Sequence, residues 1–264
     1  NRILGIGKKH GLPVIEDACQ AWLAEYGDQM CGTLGDLGCF SFQNSKHIPS
    51  GEGGALVGSD DALMDRCVAY HNCGRPYGNS MKGMGDYPVR GSNKRMTEVQ
   101  AGLLLSQIGR ARSDADKRLE NALYLDSKFK EIPGIVPYKL SDGATRSAYH
   151  LYPFRYKKEE FDGLPRHKFM AALRAEGIPC GQGYGQQYFD GLIEEAITSK
   201  GYTRLFSRER LNRYREELHN LPDNDQLTLE MVWFYQNMLL AERSDMDDIV
   251  NAVQKVYENR KQLL

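Results

Sequence analysis

The chain has 264 residues, of which 41% are hydrophobic and 10% are aromatic, so it carries enough apolar material for a packed core and is not a disordered chain. Its 34 basic and 35 acidic residues leave a formal net charge of -1. This balance gives no support to a nucleic acid or an anionic membrane as a partner, because both attract a concentrated basic field. No uncharged stretch approaches the roughly 20 residues that cross a bilayer, so we expect a cytoplasmic protein.

The start of the chain is unusual, because Asn1 is not an initiator methionine. Residues 2–10 are typical of a helix that Gly11 and Pro13 bring to an end. We therefore expect the chain to begin inside a domain. The six cysteines contain no CxxC pair, and we expect reduced thiols that pack mostly in the core.

Short apolar runs alternate with glycine-rich turns in the first 60 residues. The runs at residues 13–17, 38–42 and 53–58 predict buried strands, and the helical pattern at 60–70 after them favours an α/β layer. Residues 83–93 are polar and rich in glycine, with no period, which predicts a long loop. Loops of that size inside a compact domain are usually functional.

The second half of the chain reads mainly as helices and short strands. Thr97 and Gln100 match a capping box, which predicts a helix from there to about Glu131, broken near residues 113–114. The remaining predicted elements are strands at 135–140 and 147–156, a helix at 165–176, a loop at 181–188, a basic helix around 203–218 and a last helix from Ser244.

Lys46 is the first candidate for chemistry. It leaves the strand at 38–42 and enters a turn that runs into residues 51–54, Gly-Glu-Gly-Gly, where backbone can approach a ligand closely. A lysine that loses solvent there gives up its proton more readily and can attack a carbonyl to form a Schiff base. The alternative is a surface lysine between two strands.

Asp17 is the second candidate, because it ends a predicted buried strand. Ligands of open α/β sheets bind at the carboxyl ends of strands. A buried carboxylate there needs a cationic partner to offset its lost hydration. Asp17 could equally cap the next helix, and the two roles are compatible.

Four segments in this order resemble the DegT-type family of pyridoxal-phosphate (PLP) sugar aminotransferases, of fold type I of the aspartate aminotransferase superfamily. They are residues 16–21, residues 35–42, Lys46 with 51–54, and residues 91–101. The resemblance continues more weakly to the last helix. It implies an α/β fold in which residues 1–112 are part of a PLP-binding large domain with a mixed or parallel sheet. Residues 113–264 would form a smaller C-terminal α/β domain.

The resemblance also implies roles for individual residues. Lys46 would be the Schiff-base lysine and the proton shuttle, and Asp17 would hold the pyridinium nitrogen protonated so that the ring accepts electrons. Gln20 would lie against the ring or its 3-hydroxyl, and Ser41 would donate a hydrogen bond to the phosphate. Asn93 would reach the phosphate of the other subunit, which implies a homodimer with shared sites.

Other positions keep two interpretations. The loop at 83–93 is either an arm between subunits or a surface loop. His150 and Tyr184 either line the substrate site or pack as a core histidine and an ordinary aromatic residue. Relatives with histidine in place of the lysine act as sugar dehydratases, but here Lys46 stands five residues before Gly51, so we interpret His47 as a neighbour and not as the base. No metal site is expected.

The resemblance implies an aminotransferase that moves an amino group from glutamate or glutamine to a keto-sugar or keto-cyclitol. Residues 41–43 and 73–76, and Trp233, look more like members that act on inosose rings or amino-hydroxybenzoate precursors. The alternatives are a PLP-dependent sugar dehydratase and a non-catalytic PLP-binding relative. Family members carry further strands, a phosphate-binding helix end and a ring-stacking aromatic upstream, and we therefore expect this chain to be a fragment.

Overall fold

The computed structural model describes residues 2–189, 191–218 and 220–264. In chain order, the helices are α1 Arg2–His10, α2 Asp61–His71, α3 Glu98–Ile108, α4 Ala111–Phe129, α5 Arg166–Ala175, α6 Gly191–Thr198, α7 Lys200–Leu205, α8 Arg208–Leu218, α9 Pro222–Glu230 and α10 Arg243–Glu258. The strands are β1 Ile15–Asp17, β2 Glu25–Tyr26, β3 Gln29–Met30, β4 Leu37–Ser41, β5 Gly54–Gly58, β6 Ile135–Pro137, β7 Ala144–Arg146, β8 Leu151–Tyr156, β9 Gly181–Gln182 and β10 Met231–Tyr235. Within the described residues, no helix combines the length and the apolar character that crossing a membrane requires.

The chain divides into two compact units. The first unit comprises Asn1–Ala122 and Lys139–His150, and the second comprises Leu123–Tyr138 and Leu151–Leu264. The domain boundary between residues 112 and 113 that the family resemblance implies stays a prediction.

The first unit contains a mixed three-stranded sheet in the order β1-β4-β5. β1 pairs with β4 in parallel, with Asp17 opposite Cys39, and β4 pairs with β5 in the antiparallel sense. The parallel pair brings the carboxyl ends of β1 and β4 to the same edge of the sheet, which is where α/β sheets bind ligands. This unit also contains a second small sheet, with the strand order β3-β2-β7.

Glu16 fixes the connection that leads into β4. Its carboxylate accepts hydrogen bonds from the backbone amides of Gly32 at 2.9 Å and Gly35 at 2.7 Å. Gly38 is required beside it, since a Cβ atom there would lie only 2.0 Å from the Gly32 carbonyl oxygen. Glu16 and Gly38, which both belong to the sequence motifs, therefore have a structural role in the connection that leads into β4.

The capping box at the start of α3 is confirmed. The Thr97 amide donates to the Gln100 side-chain oxygen at 3.0 Å, and the Gln100 amide donates to the Thr97 hydroxyl at 3.3 Å. No residue of α3, which is described in full, is buried, and Val99 and Leu105 are 75% and 76% exposed. Exposed apolar residues in a group are typical of surfaces that contact other protein.

The predicted break in this helix exists, but it lies four residues before the predicted position at 113–114. α3 ends at Ile108 and α4 begins at Ala111, so the break lies at Gly109 and Arg110. Ser113 and Asp114 form the first turn of α4, where the Ser113 hydroxyl donates to the Arg110 carbonyl at 2.9 Å. An aspartate in a first turn is stabilised by the helix dipole, which is why these residues begin a helix instead of ending one.

The second unit is built on the antiparallel sheet β6-β8-β10-β9. Alternate residues of β8 are buried, namely Tyr152, Phe154 and Tyr156, and Phe154 packs on Phe234 of β10 with ring centroids 5.2 Å apart. The last helix buries the apolar face that its period predicts, through Ile249, Val253 and Val256. The predicted basic helix around 203–218 is two helices, α7 and α8, that meet at residues 206–207.

A buried carboxylate tightens the second unit. Glu230, which is 5% exposed, accepts from the Arg155 guanidinium and from the Lys157 ammonium, each at 2.6 Å.

The prediction that most cysteines lie in the core is wrong. All six are free thiols, but only Cys180 is buried, and the other five, which lie in the first unit, are half-buried.

Candidate active site

Asp17 stands at the carboxyl edge of the β1-β4 pair. Hydrogen bonds from the Cys19 thiol and amide, with a smaller contribution from the positive charge of Lys46, lower the pKa of Asp17, so the carboxylate is ionised. The interpretation of Asp17 as a helix cap is wrong, because the described residues 18–36 contain no helix. Burial, reinforced by the Asp17 carboxylate, raises the pKa of the Cys19 thiol to about 11.

Lys46 lies in a tight turn that begins just after β4. The Lys46 amide donates to the Gln43 carbonyl at 2.9 Å, and the Asn44 amide donates to the Gly51 carbonyl at 3.0 Å. Gly51 has a φ of +89°, a left-handed conformation that favours glycine. Lys46 is half-buried, and its charge acts on Asp17 and on two histidines, so the predicted base and the predicted acid share one neighbourhood.

Ser41 is the last residue of β4, and its hydroxyl oxygen accepts from the Gln43 amide at 3.2 Å. Trp22 braces this point, because its indole N–H donates to the Ser41 carbonyl at 3.2 Å and its ring lies 4.7 Å from that of Phe40. No sequence pattern indicates this contact, which joins residues 19 positions apart. Gln20 is exposed in the turn that follows β1.

Asn93 ends the long loop and is exposed. Its side-chain oxygen accepts from the Arg95 amide at 3.2 Å. The loop closes against the end of α2, where the Ser92 amide donates to the Tyr70 carbonyl at 3.0 Å. Gly91 permits that approach, since a Cβ atom would lie 2.3 Å from the same carbonyl oxygen. The contact of Asn93 with a second subunit stays a prediction.

His150 lies in the first unit with Lys46, and Tyr184 lies in the second unit. Burial and then the charge of Lys46 lower the pKa of His150 to about 4. Tyr184 is 64% exposed, and its ring lies 5.3 Å from that of Trp233. Gly181 permits the close approach of the Trp233 indole, because a Cβ atom at position 181 would lie 2.1 Å from the Trp233 ring nitrogen. The substrate roles of His150 and Tyr184 stay predictions.

The first unit therefore holds six of the seven predicted site residues, and the charge of Lys46 acts on two of the others, Asp17 and His150. The described part of the chain contains no cluster of three or more His, Cys, Asp or Glu residues that could hold a metal ion. An ionised carboxylate, a half-buried amine and a hydroxyl at one sheet edge are suited to a ligand that carries a cation, an electrophilic carbonyl and an anion.

Most of the chain is similar to a known protein family. Residues 1–204 match the DegT/DnrJ/EryC1/StrS aminotransferase family. The chain belongs to this family. The resemblance of its four motifs is thereby confirmed, and it rests on more than three quarters of the chain.

A similar relative is the L-glutamine:2-deoxy-scyllo-inosose aminotransferase of Streptoalloteichus tenebrarius, which is 32% identical over 265 residues. That match covers 98% of this chain and 62% of the relative. The chain thus spans about three fifths of the length of the curated relatives it matches.

Among solved structures, 3-amino-5-hydroxybenzoic acid synthase matches with a TM-score of 0.76 at 24% identity, over 98% of this chain and 64% of that one. An aminotransferase from Psychrobacter cryohalolentis matches with a TM-score of 0.74 at 25% identity, over 98% and 65%. These similarities confirm the predicted α/β fold of type I.

Proposed function

We propose that the protein is an aminotransferase that uses pyridoxal phosphate and moves an amino group to a keto-cyclitol or keto-sugar, with glutamine or glutamate as the donor. The observation that carries this proposal is that Asp17, ionised at the end of β1, interacts with the charge of Lys46 in the turn after the neighbouring strand β4. Family membership and the names of the relatives support the class of reaction. The relative from Streptoalloteichus tenebrarius favours L-glutamine as donor and an inosose as acceptor.

The residues present fit pyridoxal phosphate. Asp17 would accept the hydrogen bond of the ring nitrogen, Lys46 would hold the aldehyde carbon, and the Ser41 hydroxyl would donate to the phosphate. Gln20 would lie against the ring or its hydroxyl, and Asn93 would reach the phosphate from a second subunit. When bound, the cofactor supplies an electron sink for the carbon that loses its proton.

The roles of Asp17, Lys46 and Cys19 follow from their protonation states. The Asp17 carboxylate is ionised and would favour a protonated ring nitrogen in a bound cofactor. The Lys46 amine would hold the cofactor aldehyde and, when free, would serve as the group that accepts and returns a proton at the substrate carbon that carries the amino group. The Cys19 thiol does not compete as a nucleophile, because a pKa of about 11 keeps it protonated at neutral pH.

The further expectations are a homodimer and a cytoplasmic location. The exposed apolar side chains of α3, which follows Asn93 by only a few residues, support contact with another polypeptide. A subunit contact near Asn93 would agree with shared sites.

The proposal is tested by following the visible absorbance of the cofactor-loaded, full-length protein. L-Glutamine or L-glutamate should bleach the band of the lysine-bound cofactor, and 2-deoxy-scyllo-inosose should restore it with formation of an amino-cyclitol. Lys46→Ala should abolish the band, and Lys200→Ala, a change at an exposed lysine, should leave it. A dehydratase would convert a deoxy-keto sugar without consuming the amino donor. A band that no donor bleaches would indicate a non-catalytic relative and would contradict the proposal.

A further inference from the structure

His47, the residue that follows Lys46, makes a long-range contact. Its Nε2 atom lies 2.9 Å from the carbonyl oxygen of Ala148, a residue 101 positions further along the chain. A carbonyl oxygen only accepts, so the ring must donate from Nε2. In the neutral ring the proton is then on Nε2, and Nδ1 carries a lone pair.

His150 is the partner of this ring. The two imidazole centroids lie 5.7 Å apart with an interplanar angle of 54°. The Nδ1 atoms of both rings are buried, and neither has a hydrogen-bond partner among the described residues. Unsatisfied buried nitrogens are rare in folded proteins, so a pair of them beside a candidate base points to a role.

The backbone between these two contacts is strained. Tyr149, which separates Ala148 from His150, is buried and has a φ of +48°, a left-handed conformation that is unfavourable for a bulky residue. Its amide donates to the Ser147 hydroxyl at 3.2 Å, which closes the turn. The Ala148 carbonyl and the His150 ring, on the two sides of Tyr149, both meet His47. Strain of this kind persists only where surrounding contacts enforce it.

The charged groups that face the pair are cations. Burial, then the positive charge of Arg118, lowers the pKa of His47 to about 3, with smaller contributions from His150 and Lys46. Burial and then Lys46 lower the pKa of His150 to about 4. The charge of Lys46 also acts on Asp17, the acid of the site, but Asp17 is not among the groups that influence either ring. Both imidazoles are therefore neutral at neutral pH.

We infer that His47 and His150 are positioning residues for Lys46. The hydrogen bond from His47 to Ala148 ties the lysine turn to the strained turn at Tyr149, and both uncharged rings lie close enough to Lys46 for its charge to act on them. This assignment rests on the proposed function for its consequence, the orientation of the Lys46 amine toward the cofactor aldehyde. It assigns no proton transfer to either histidine.

The first test needs no cofactor. Nitrogen-15 NMR of the histidines in the full-length, cofactor-free protein should show His47 as the neutral ring protonated on Nε2 at pH 7 and still at pH 5. A ring protonated on Nδ1, or a His47 that titrates near its ordinary pKa of 6.5, would overturn the inference. This result stands whether or not the protein binds pyridoxal phosphate.

The second test distinguishes the effect of the His47 hydrogen bond from the effect of its ring. His47→Gln keeps an N–H donor, His47→Phe keeps a ring without a donor, and His167→Gln changes an exposed histidine of α5 as the control. The loss of one neutral hydrogen bond should slow attachment of pyridoxal phosphate to Lys46 about five-fold in the Phe variant. The Gln and control variants should stay close to the wild-type rate.

The same variants are compared without cofactor by reductive methylation of Lys46 across pH, read by peptide mass spectrometry. The Phe variant should shift the pH profile of Lys46 relative to the wild type, and the Gln variant should shift it less. Equal rates and profiles for the Phe variant and the wild type would overturn the inference. If the wild type fails to bind pyridoxal phosphate at all, the proposed function fails, while the tautomer and the methylation profile still decide the role of His47.

Discussion

Lowering the pH from 7 to 5 should destabilise the folded protein through His47 and His150. Histidine in the unfolded chain titrates near 6.5, whereas the folded protein holds the pKa of His47 at about 3 and that of His150 at about 4. Between these values the unfolded state binds more protons than the folded state. The free energy of unfolding is therefore fully retained above about pH 7 and falls as the pH falls toward the folded pKa values.

The magnitude follows from the linkage relation. A histidine that stays neutral in the folded state loses about 2 kcal/mol of stabilisation between pH 7 and pH 5. His47 and His150 are both half-buried, and solvent screening reduces each contribution to about 1 kcal/mol. The pair should therefore account for about 2 kcal/mol of the total loss.

Urea unfolding at pH 7, 6 and 5 measures this loss. The double variant His47→Gln with His150→Gln should lose about 2 kcal/mol less than the wild type over that range, because glutamine does not titrate. The matched control changes two exposed histidines, His10→Gln with His167→Gln, and should follow the wild type. Carboxylates titrate alike in all three proteins and cancel in the comparison. Equal losses for the wild type and the His47 and His150 variant would refute the reasoning.

Two further predictions concern the packing of each unit. Gly38→Ala should cost roughly 1–3 kcal/mol of unfolding free energy, because the new Cβ would press on the Gly32 carbonyl oxygen, whereas Gly5→Ala, with open space in α1, should be neutral or stabilising. Urea denaturation of the two variants checks this, and equal stabilities would contradict it. Glu230→Gln should cost about 2 kcal/mol, since two charge-assisted hydrogen bonds weaken inside the second unit, and Glu217→Gln, at an exposed ion pair, should cost almost nothing. Thermal unfolding of both glutamine variants is the measurement, and a stable Glu230 variant would be the contrary result.

Local signals in the sequence predicted where strands and caps lie, but the predicted burial of the strands at 13–17 and 53–58 is wrong, because β1 and β5 are mostly exposed. The capping box at Thr97 and Gln100 forms as its residue types require, and Asp17 ends a strand that pairs in parallel with the strand before Lys46. Each of these features depends on neighbours within a few residues or on short apolar runs. Such patterns carry their own physical cause, which is why a single sequence reveals them.

Contacts across long sequence separations could not be predicted. β10 pairs with β8, and the paired residues are 76 to 84 positions apart in the chain. The apolar run of β10 is too short to distinguish a strand from a buried helix segment. The contact of His47 with Ala148 depends on a strained turn at Tyr149, and no local residue pattern predicts that turn. The position of His47 beside Lys46 is therefore visible in the sequence, but its contact with Ala148 is not.

The most direct test of the central claim is to locate the covalent attachment of the cofactor. The full-length protein would be loaded with pyridoxal phosphate, reduced with borohydride, digested and mapped by mass spectrometry. We predict that the reduced cofactor is found on the peptide that contains Lys46, and that Asp17→Asn weakens its retention. Attachment at a different lysine, or at none, would contradict the account.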